Sequence, residues 1–471
     1  MKKFLLFILL IISLNCSSQN AIGNCSGRIE AKEMPYAQII GETENEHVLV
    51  LIHSKSKNEG KLIEFNNELL FNTEIDLDFE NESILQCAYI DDQIVLFTSK
   101  VIDNANCVLA RIYEDYVFSS PKIICKAIFS NSVFDFSKSN NGKYFGIIAE
   151  TPYLKGINEE IEVWIFDDLF KEQCYYKLAL PEKNTRIKIN VPVMSNTGLF
   201  FLIKRHIVAQ DNNYFVYTIN PEKKKHIRTS LKLMGKRIAD IDYQLDEQNN
   251  LHLVGFYSSL NYHVFEGCFY YKIDQTSRPV KFKQHGFDLD FLTQTQGKKI
   301  AKKNGGLLDY KMGKMKLFNG EIFFTASHSL REKHFVDQEQ QISYSTNQIA
   351  LITLNKDGMK ELTQTLKVNQ QSENDHGFWN KHQFLIDSNN LSLLHNQTLN
   401  ESITTKINHF SDSNNVFTPA INFELNDATN DSCGLDLGSL KKINSNHYVL
   451  TWNTNRNEFA ICKLSTKDTD K

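Results

Sequence analysis

One pattern recurs along the whole chain, and it restricts the fold more than any single residue does. A short polar turn rich in Asn, Asp or Gly leads into an apolar strand, and after a gap a second apolar strand follows. The turns and first strands are Glu46-His47 into VLVLI, Asp91-Asp92-Gln93 into IVLF, Asn140-Asn141-Gly142-Lys143 into YFGIIA and Asn196-Thr197-Gly198 into LFFLI. The series continues with Gln248-Asn249-Asn250 into LHLVGF, Asn319-Gly320-Glu321 into IFFTA, Ser388-Asn389-Asn390 into LSLL and Ser445-Asn446-His447 into YVLTW. The anchors Val48, Ile94, Tyr144, Leu199, Leu251, Ile322, Leu391 and Tyr448 stand 46 to 71 residues apart. A unit of that size holds about four strands, the content of a β-propeller blade.

The pattern of burial within each unit agrees. Partner strands such as CVLARIY, IEVWIF, YFVYTI and CFYYKI are continuous apolar runs, as expected of strands covered on both faces by neighbouring sheets. Strands before the anchors, such as SVFDFS, KINVPVM and ADIDYQL, are more polar and suit the lining of a hydrated channel. Strands after the partners, such as PKIIC and RTSLKL, suit an outer edge with one wet face. A lone four-stranded sheet leaves both faces exposed, so the units must stack. The expected fold is therefore all-β, a β-propeller forming a closed ring of four-stranded antiparallel sheets. The count is eight blades, or seven if the unit containing the polar run TKINHF is an insertion.

The ends have their own logic. Lys2 and Lys3 precede an apolar run from Phe4 to Ile12, too short to span a bilayer but suited to a Sec signal, so residues 1–18 read as a signal peptide. Cleavage after Ser18 leaves Gln19 first; alternatively Cys16 is lipidated, although Ser13-Leu14-Asn15 makes a poor lipobox. Localisation then lies in the periplasm, at the outer-membrane surface or outside the cell, and no later apolar run is long enough to span a membrane as a helix. The last unit ends at Lys463-Leu464 and lacks an outer strand. GRIEA at 27–31, within the N-terminal segment 19–34, can supply it or can be a plain linker; residues 35–471 form the single propeller domain.

The cysteines 16, 25, 87, 107, 125, 174, 268, 433 and 462 form no Cys-x-x-Cys and no zinc spacing. After export some of the eight beyond Cys16 can form disulfides; most, however, sit in apolar runs, where a free thiol acts as a small core hydrophobe, and Cys107, Cys268 and Cys462 are read that way. The net charge of −4 argues against a basic nucleic-acid binder. There is no nucleophile elbow, zinc-protease helix, phosphate loop, EF-hand loop or dinucleotide fingerprint, and no motif calls for a cofactor.

Three stretches exceed what the repeat needs, and functional surfaces concentrate on such loops. Residues 286–308 suggest a short helix ended by Gly305-Gly306, residues 327–347 read as a polar excursion between paired strands, and residues 369–380 join the sixth and seventh units. The succession GFDLDFL, NGEIFFTASHS, NQIALITLNKDGMKELTQTLKVNQQSENDHG and NNLSLLHN, with the leader MKKFLLFILLIISLNCSSQN, resembles a family of uncharacterised secreted propeller-like proteins of Bacteroidota. The resemblance spans roughly residues 240–400 and implies fold and export; no activity comes with it.

Counting back nine residues from four anchors reaches Asp135, Asn190, Asp242 and His382. If the units superpose, these four occupy equivalent places on channel strands, where carboxylates and an amide can hold a cation, a sugar or an acid and base pair. Channel strands are also polar without any ligand. Two functions follow: a noncatalytic binding or scaffold protein of the cell envelope contacting a protein or glycan, or a carbohydrate-active or other hydrolytic propeller using Asp135 and Asp242.

Overall fold

The computed structural model describes residues 21–465 except 32–33, 35, 44, 55, 57, 92, 115, 188, 209–210, 260–262, 337–338, 376, 388–389, 400–401, 412–413, 415, 427–432 and 454–456. The signal segment and Cys16 lie outside the described residues. Strands take 68% of the chain and helices 4%.

The described polar turns do what their residues predict: they reverse the chain between an inner strand and an apolar one. Asn249 and Asn319 adopt positive φ at these reversals, a conformation asparagine tolerates better than most residues. The third unit is typical, an antiparallel sheet in the order Val133–Lys138, Tyr144–Glu150, Asn158–Asp167 and Glu172–Lys183. Its second strand has Phe145, Ile147, Ile148 and Ala149 all buried, on both faces, whereas Val133 and Asp135 of the first strand are exposed.

Apolar clusters lie between successive sheets. Phe145 and Ile147 of the third unit meet Val95 and Phe97 of the second, while Ile148 and Val163 meet Phe200 and Leu202 of the fourth. The alternation continues through the fifth and sixth units, where Phe256 and Tyr270 pack on Phe324 and Ile352, to the eighth. In the final cluster Tyr448, Leu450 and Trp452 pack against Val48, Val50 and Ile52 of the first unit. Sheets packed face to face in chain order make this a β-propeller architecture.

The seventh unit, with its polar TKINHF, has four strands: His382–Asp387, Asn390–Leu399, Ser402–Ser411 and Ile421–Asn426. Its third strand still buries Thr405 and Ile407. The eighth unit takes its outer strand from the N-terminus. Ala21–Cys25 runs antiparallel to Glu458–Ser465, and Ile29–Glu30, inside the expected GRIEA, pairs with Phe459 and Glu458. The same N-terminal strand pairs in parallel with Ile421–Asn426, so the last two units join edge to edge in one ten-stranded sheet. Cys25 and Cys462 sit opposite each other in this pairing and form a disulfide across a sequence separation of 437. Cys462 is therefore not the free core thiol its apolar surroundings suggest. Cys87, Cys107, Cys125, Cys174 and Cys268 are free and buried.

The long stretches have defined structure. Residues 286–308 hold two short helices, α1 (Leu289–Gln296), capped by Asp288 accepting from the Phe291 N–H, and α2 (Lys298–Asn304), ended by Gly305 in the left-handed conformation. The excursion at 327–347 is a continuation of strands, because Glu321–Val336 and Glu339–Leu354 pair along a long hairpin with Lys360–Glu373 alongside. In the 369–380 stretch, Trp379 is buried in the cluster joining the eighth and first units.

Candidate functional site

The polar innermost strands line neighbouring hollows that share some of their residues. Near the long hairpin lies a cavity of about 520 Å³ whose lining includes Asp240, Asp242, Lys314, Tyr344, Lys381 and His382. It collects side chains from the fifth to seventh units, with Ser327, Ser329 and Tyr344 of the hairpin forming one wall and Leu437 and Gly438 of the eighth unit another.

Its shape depends on a break in the sixth unit's inner strand, which runs as Tyr310–Met312, stops, and resumes as Lys316–Phe318. Gly313 stands at the break, and a Cβ there would lie 2.1 Å from Thr325 Oγ1 and 2.6 Å from His382 Nε2, so no larger residue fits. The interruption presents the Met315 N–H to Asp242 Oδ2 at 2.7 Å, and Lys314 Nζ donates to Asp242 Oδ1 at 3.3 Å. Asp242 is thus fixed through both oxygens. Two residues earlier on the same strand, Asp240 Oδ1 accepts from the Ile241 N–H, and burial, with the charge of Asp242, raises its carboxyl above the usual carboxylate range. The adjacent Tyr243 phenol is pushed up to about 12 by burial and by the charges of Asp242 and Asp135.

His382 shares a 2.6 Å hydrogen bond with Thr325 through Nε2, while its buried Nδ1 has no hydrogen-bond partner among the described residues. Burial and the nearby His395 lower it to about 4, so the ring is neutral at neutral pH.

The four positions reached by counting do not all converge. Asp242 and His382 line the cavity; Asp135 is exposed on the third unit's inner strand. Asn190 is buried in a network with the preceding sheet, its Nδ2 donating to Glu150 at 2.7 Å and Glu159 at 3.0 Å and its Oδ1 accepting from Lys204 at 3.2 Å. The strand registers explain the difference. In the fifth unit Leu251 pairs with Leu245, three residues beyond Asp242. In the fourth, Leu199 still belongs to the turn and Phe200 pairs with Met194, so the place of Asp242 falls to Val191. In the seventh, Leu391 pairs with Ile386, and the equivalent is Gln383. In the third, Phe145 pairs with Lys138, and Asp135 is a true equivalent. A slip of one residue turns a side chain to the opposite face, and both Asn190 and His382 accordingly point at the preceding sheet.

Counting from anchors overlooked Asp240 and the channel lysines. Lys138, Lys311, Lys314, Lys316, Lys381 and Lys441 all line hollows here, beside Asp240, Asp242 and Asp436. The signal was available in the spacing KMGKMK at 311–316, basic residues on a strand that precedes an anchor. No group of three or more His, Cys, Asp or Glu side chains suited to a metal ion occurs among the described residues. Nor is any helix among them long and apolar enough to cross a membrane.

No known protein family matches the sequence, and no curated protein matches it. Among solved structures, the chain is similar to the β-propeller domain of the Trilobed protease from Pyrococcus furiosus, which has an open velcro topology, at 12% identity over 81% of this chain and 98% of that one, TM-score 0.38. It is similar to prolyl oligopeptidase B from Galerina marginata at 10% identity and TM-score 0.42, covering 90% of this chain but only 56% of that one. It is also similar to the polysaccharide lyase Uly1 at 9% identity over 91% of this chain and 90% of that one, TM-score 0.41. None of these likenesses assigns chemistry to the cavity.

Proposed function

We propose that the chain is an exported cell-envelope protein, an eight-bladed propeller that binds a ligand without transforming it, in the cavity beside the long hairpin. The eight-bladed closed ring is supported by the apolar cluster between the last and first units and by the N-terminal strand clasped to the last one. Export, with cleavage after residue 18 or lipidation at Cys16, is supported by the basic and apolar leader. The partner class is an envelope protein or glycan.

One observation carries the binding reading. The groups best placed for chemistry are already engaged in holding the walls: Asp242 accepts from both Lys314 and the Met315 N–H, and His382 is neutral and bonded to Thr325. Such a cavity offers shape and fixed polar contacts, and neither Asp242 nor the Nε2 of His382 is left free to act as a general base. The test is to incubate the chain lacking residues 1–18 with envelope glycans and peptides and to analyse both the retained and the released material by mass spectrometry. Retained ligand of unchanged mass, lost in Tyr344→Ala, is the expected result.

A hydrolytic reading is favoured by a different observation, the Asp240 and Asp242 pair, in which one carboxyl is raised by burial and the other is held by donors. Cleaved products that vanish in Asp240→Asn would replace binding with hydrolysis.

A further inference from the structure

Beside the hairpin cavity, and sharing Asp242, Lys314 and Gln383 with it, lies a second, open cavity of about 400 Å³ lined by residues at the inner strands of the third to seventh units. Three lysines line it, Lys138, Lys314 and Lys316, against a single carboxylate, Asp242. That carboxylate is already bound by Lys314 and by the Met315 N–H. Lys138 donates to the backbone carbonyl of Tyr89 at 2.5 Å, a dipole that leaves the ammonium charge unneutralised. Lys316 has no ion-pair partner among the described residues. Burial lowers the pKa of both, the charge of Asp242 opposing it at Lys316 and that of Lys314 adding to it.

The charge does not end at the cavity wall. Lys441, on the eighth unit, points its ammonium at the carbonyls of Ile39 and Ile40, and its charged form is disfavoured by burial and then by the charge of Lys138. Lys138 and Lys316 thus face this cavity partly buried, with the more exposed Lys314 beside them and Lys441 lining a neighbouring hollow, in a protein whose net charge is −4. Withdrawing an ammonium from water costs free energy unless an anion meets it. Neutral donors would have served the carbonyl contacts equally well, so the carbonyls do not account for the choice of lysine.

We propose that this cavity binds a small, multiply charged anion bearing carboxylate or phosphate groups, held by Lys138, Lys314 and Lys316. The inference rests on the binding reading and gives that ligand, or an anionic part of it, its chemistry. The volume falls in the usual range of small-molecule sites, roughly 300–1,000 Å³, and suits a metabolite-sized ligand or one end group of a glycan. Lysine acts as a point charge and does not demand planar, bidentate geometry, so carboxylate and phosphate are both accommodated.

The experiment is calorimetric titration of the chain lacking residues 1–18 at low ionic strength, with citrate and pyrophosphate as separate probes to distinguish the two sources of charge. Saturable one-site binding of at least one probe is expected, weakened about tenfold or more by Lys138→Gln and by Lys316→Gln, since a charge-assisted hydrogen bond is worth roughly 1.5–3 kcal/mol. Lys122→Gln, on an exposed outer strand, leaves it unchanged. Thermal melts serve as the folding control: the bound probe raises the midpoint of the wild type and not that of the double variant K138Q/K316Q. Failure of both probes to bind, or equal binding by wild type and double variant, overturns the proposal. A ligand retained at the hairpin cavity with neither probe bound sinks the anion site alone, whereas bound probes with no retained ligand sink the hairpin-cavity reading alone.

Discussion

Two sets of buried cations in this protein are treated in opposite ways. In the sheets, Lys204 is 1% exposed yet donates to Glu159 at 2.6 Å and to Asn190, while Arg111 grips both oxygens of Glu82 at 2.8 and 2.9 Å with Thr98 completing the set. In the channel, Lys138, Lys316 and Lys441 are half-buried, and none has a carboxylate within ion-pair distance among the described residues. A compensated pair locks two strands or two sheets together; an ammonium half-buried without a counter-ion costs stability, and under the anion-site proposal it is what draws the ligand. The difference separates cations that hold the architecture from those the proposed site would use.

The largest effect is expected where compensation is removed. Glu159→Ala leaves the Lys204 ammonium buried without its counter-ion and should lower unfolding stability by about 3–5 kcal/mol in urea titration. Adding Lys204→Met should restore a good part of that loss. A single variant no less stable than wild type would erase the distinction between the two sets.

A smaller effect of opposite sign is expected in the channel. Lys441 is held at about 8 in the folded chain against the ordinary lysine value of 10.5, by burial first and by the charge of Lys138 second. Between those values the unfolded chain keeps the proton and the folded chain releases it, so this group's contribution to stability rises as pH climbs from about 8 to about 10.5. Below that window the full cost of the buried charge is present. Lys441→Met should therefore be more stable than wild type at pH 7, by about 1–3 kcal/mol. The gap should narrow toward pH 10 in paired denaturation curves. A gap that widens with pH would mean that the ammonium is stabilised where it sits.

The smallest effect belongs to an exposed pair. Lys61 meets Glu74 at 2.9 Å and Asp76 at 3.6 Å on the outer half of the first sheet. Lys61→Ala should cost under about 1 kcal/mol and less still in high salt, because water and ions screen such contacts. A cost approaching that of Glu159→Ala would show that burial is not what separates these cases.

Much of the fold was legible in particular residues. VLVLI, IVLF and YFGIIA appear as central strands because a run buried on both faces must be apolar at every position. GRIEA contributes the pairing of Ile29 and Glu30, although the longer strand lies upstream at Ala21–Cys25, where the short run AIGNC carries little strand signal of its own. Gly305 ends a helix as expected, and the excursion at 327–347 is longer strand because Leu330, Tyr344 and their neighbours keep pairing beyond the sheet. The site was less legible. Counting reached Asp242 on the cavity wall, whereas Asn190 lies against the preceding sheet because Leu199 belongs to the turn, and the count carried no information about turn length.

The sequence by itself determined the strand content, the rhythm of the units and the missing outer strand of the last one, because these follow from local alternation of polar turns and apolar runs. Only the tertiary structure decided which inner-strand side chains share a cavity, that Cys25 meets Cys462, and which lysines lack a counter-charge. Those are relations between residues far apart in the chain. Each depends on strand register, where a shift of one position sends a side chain to the other face of the sheet.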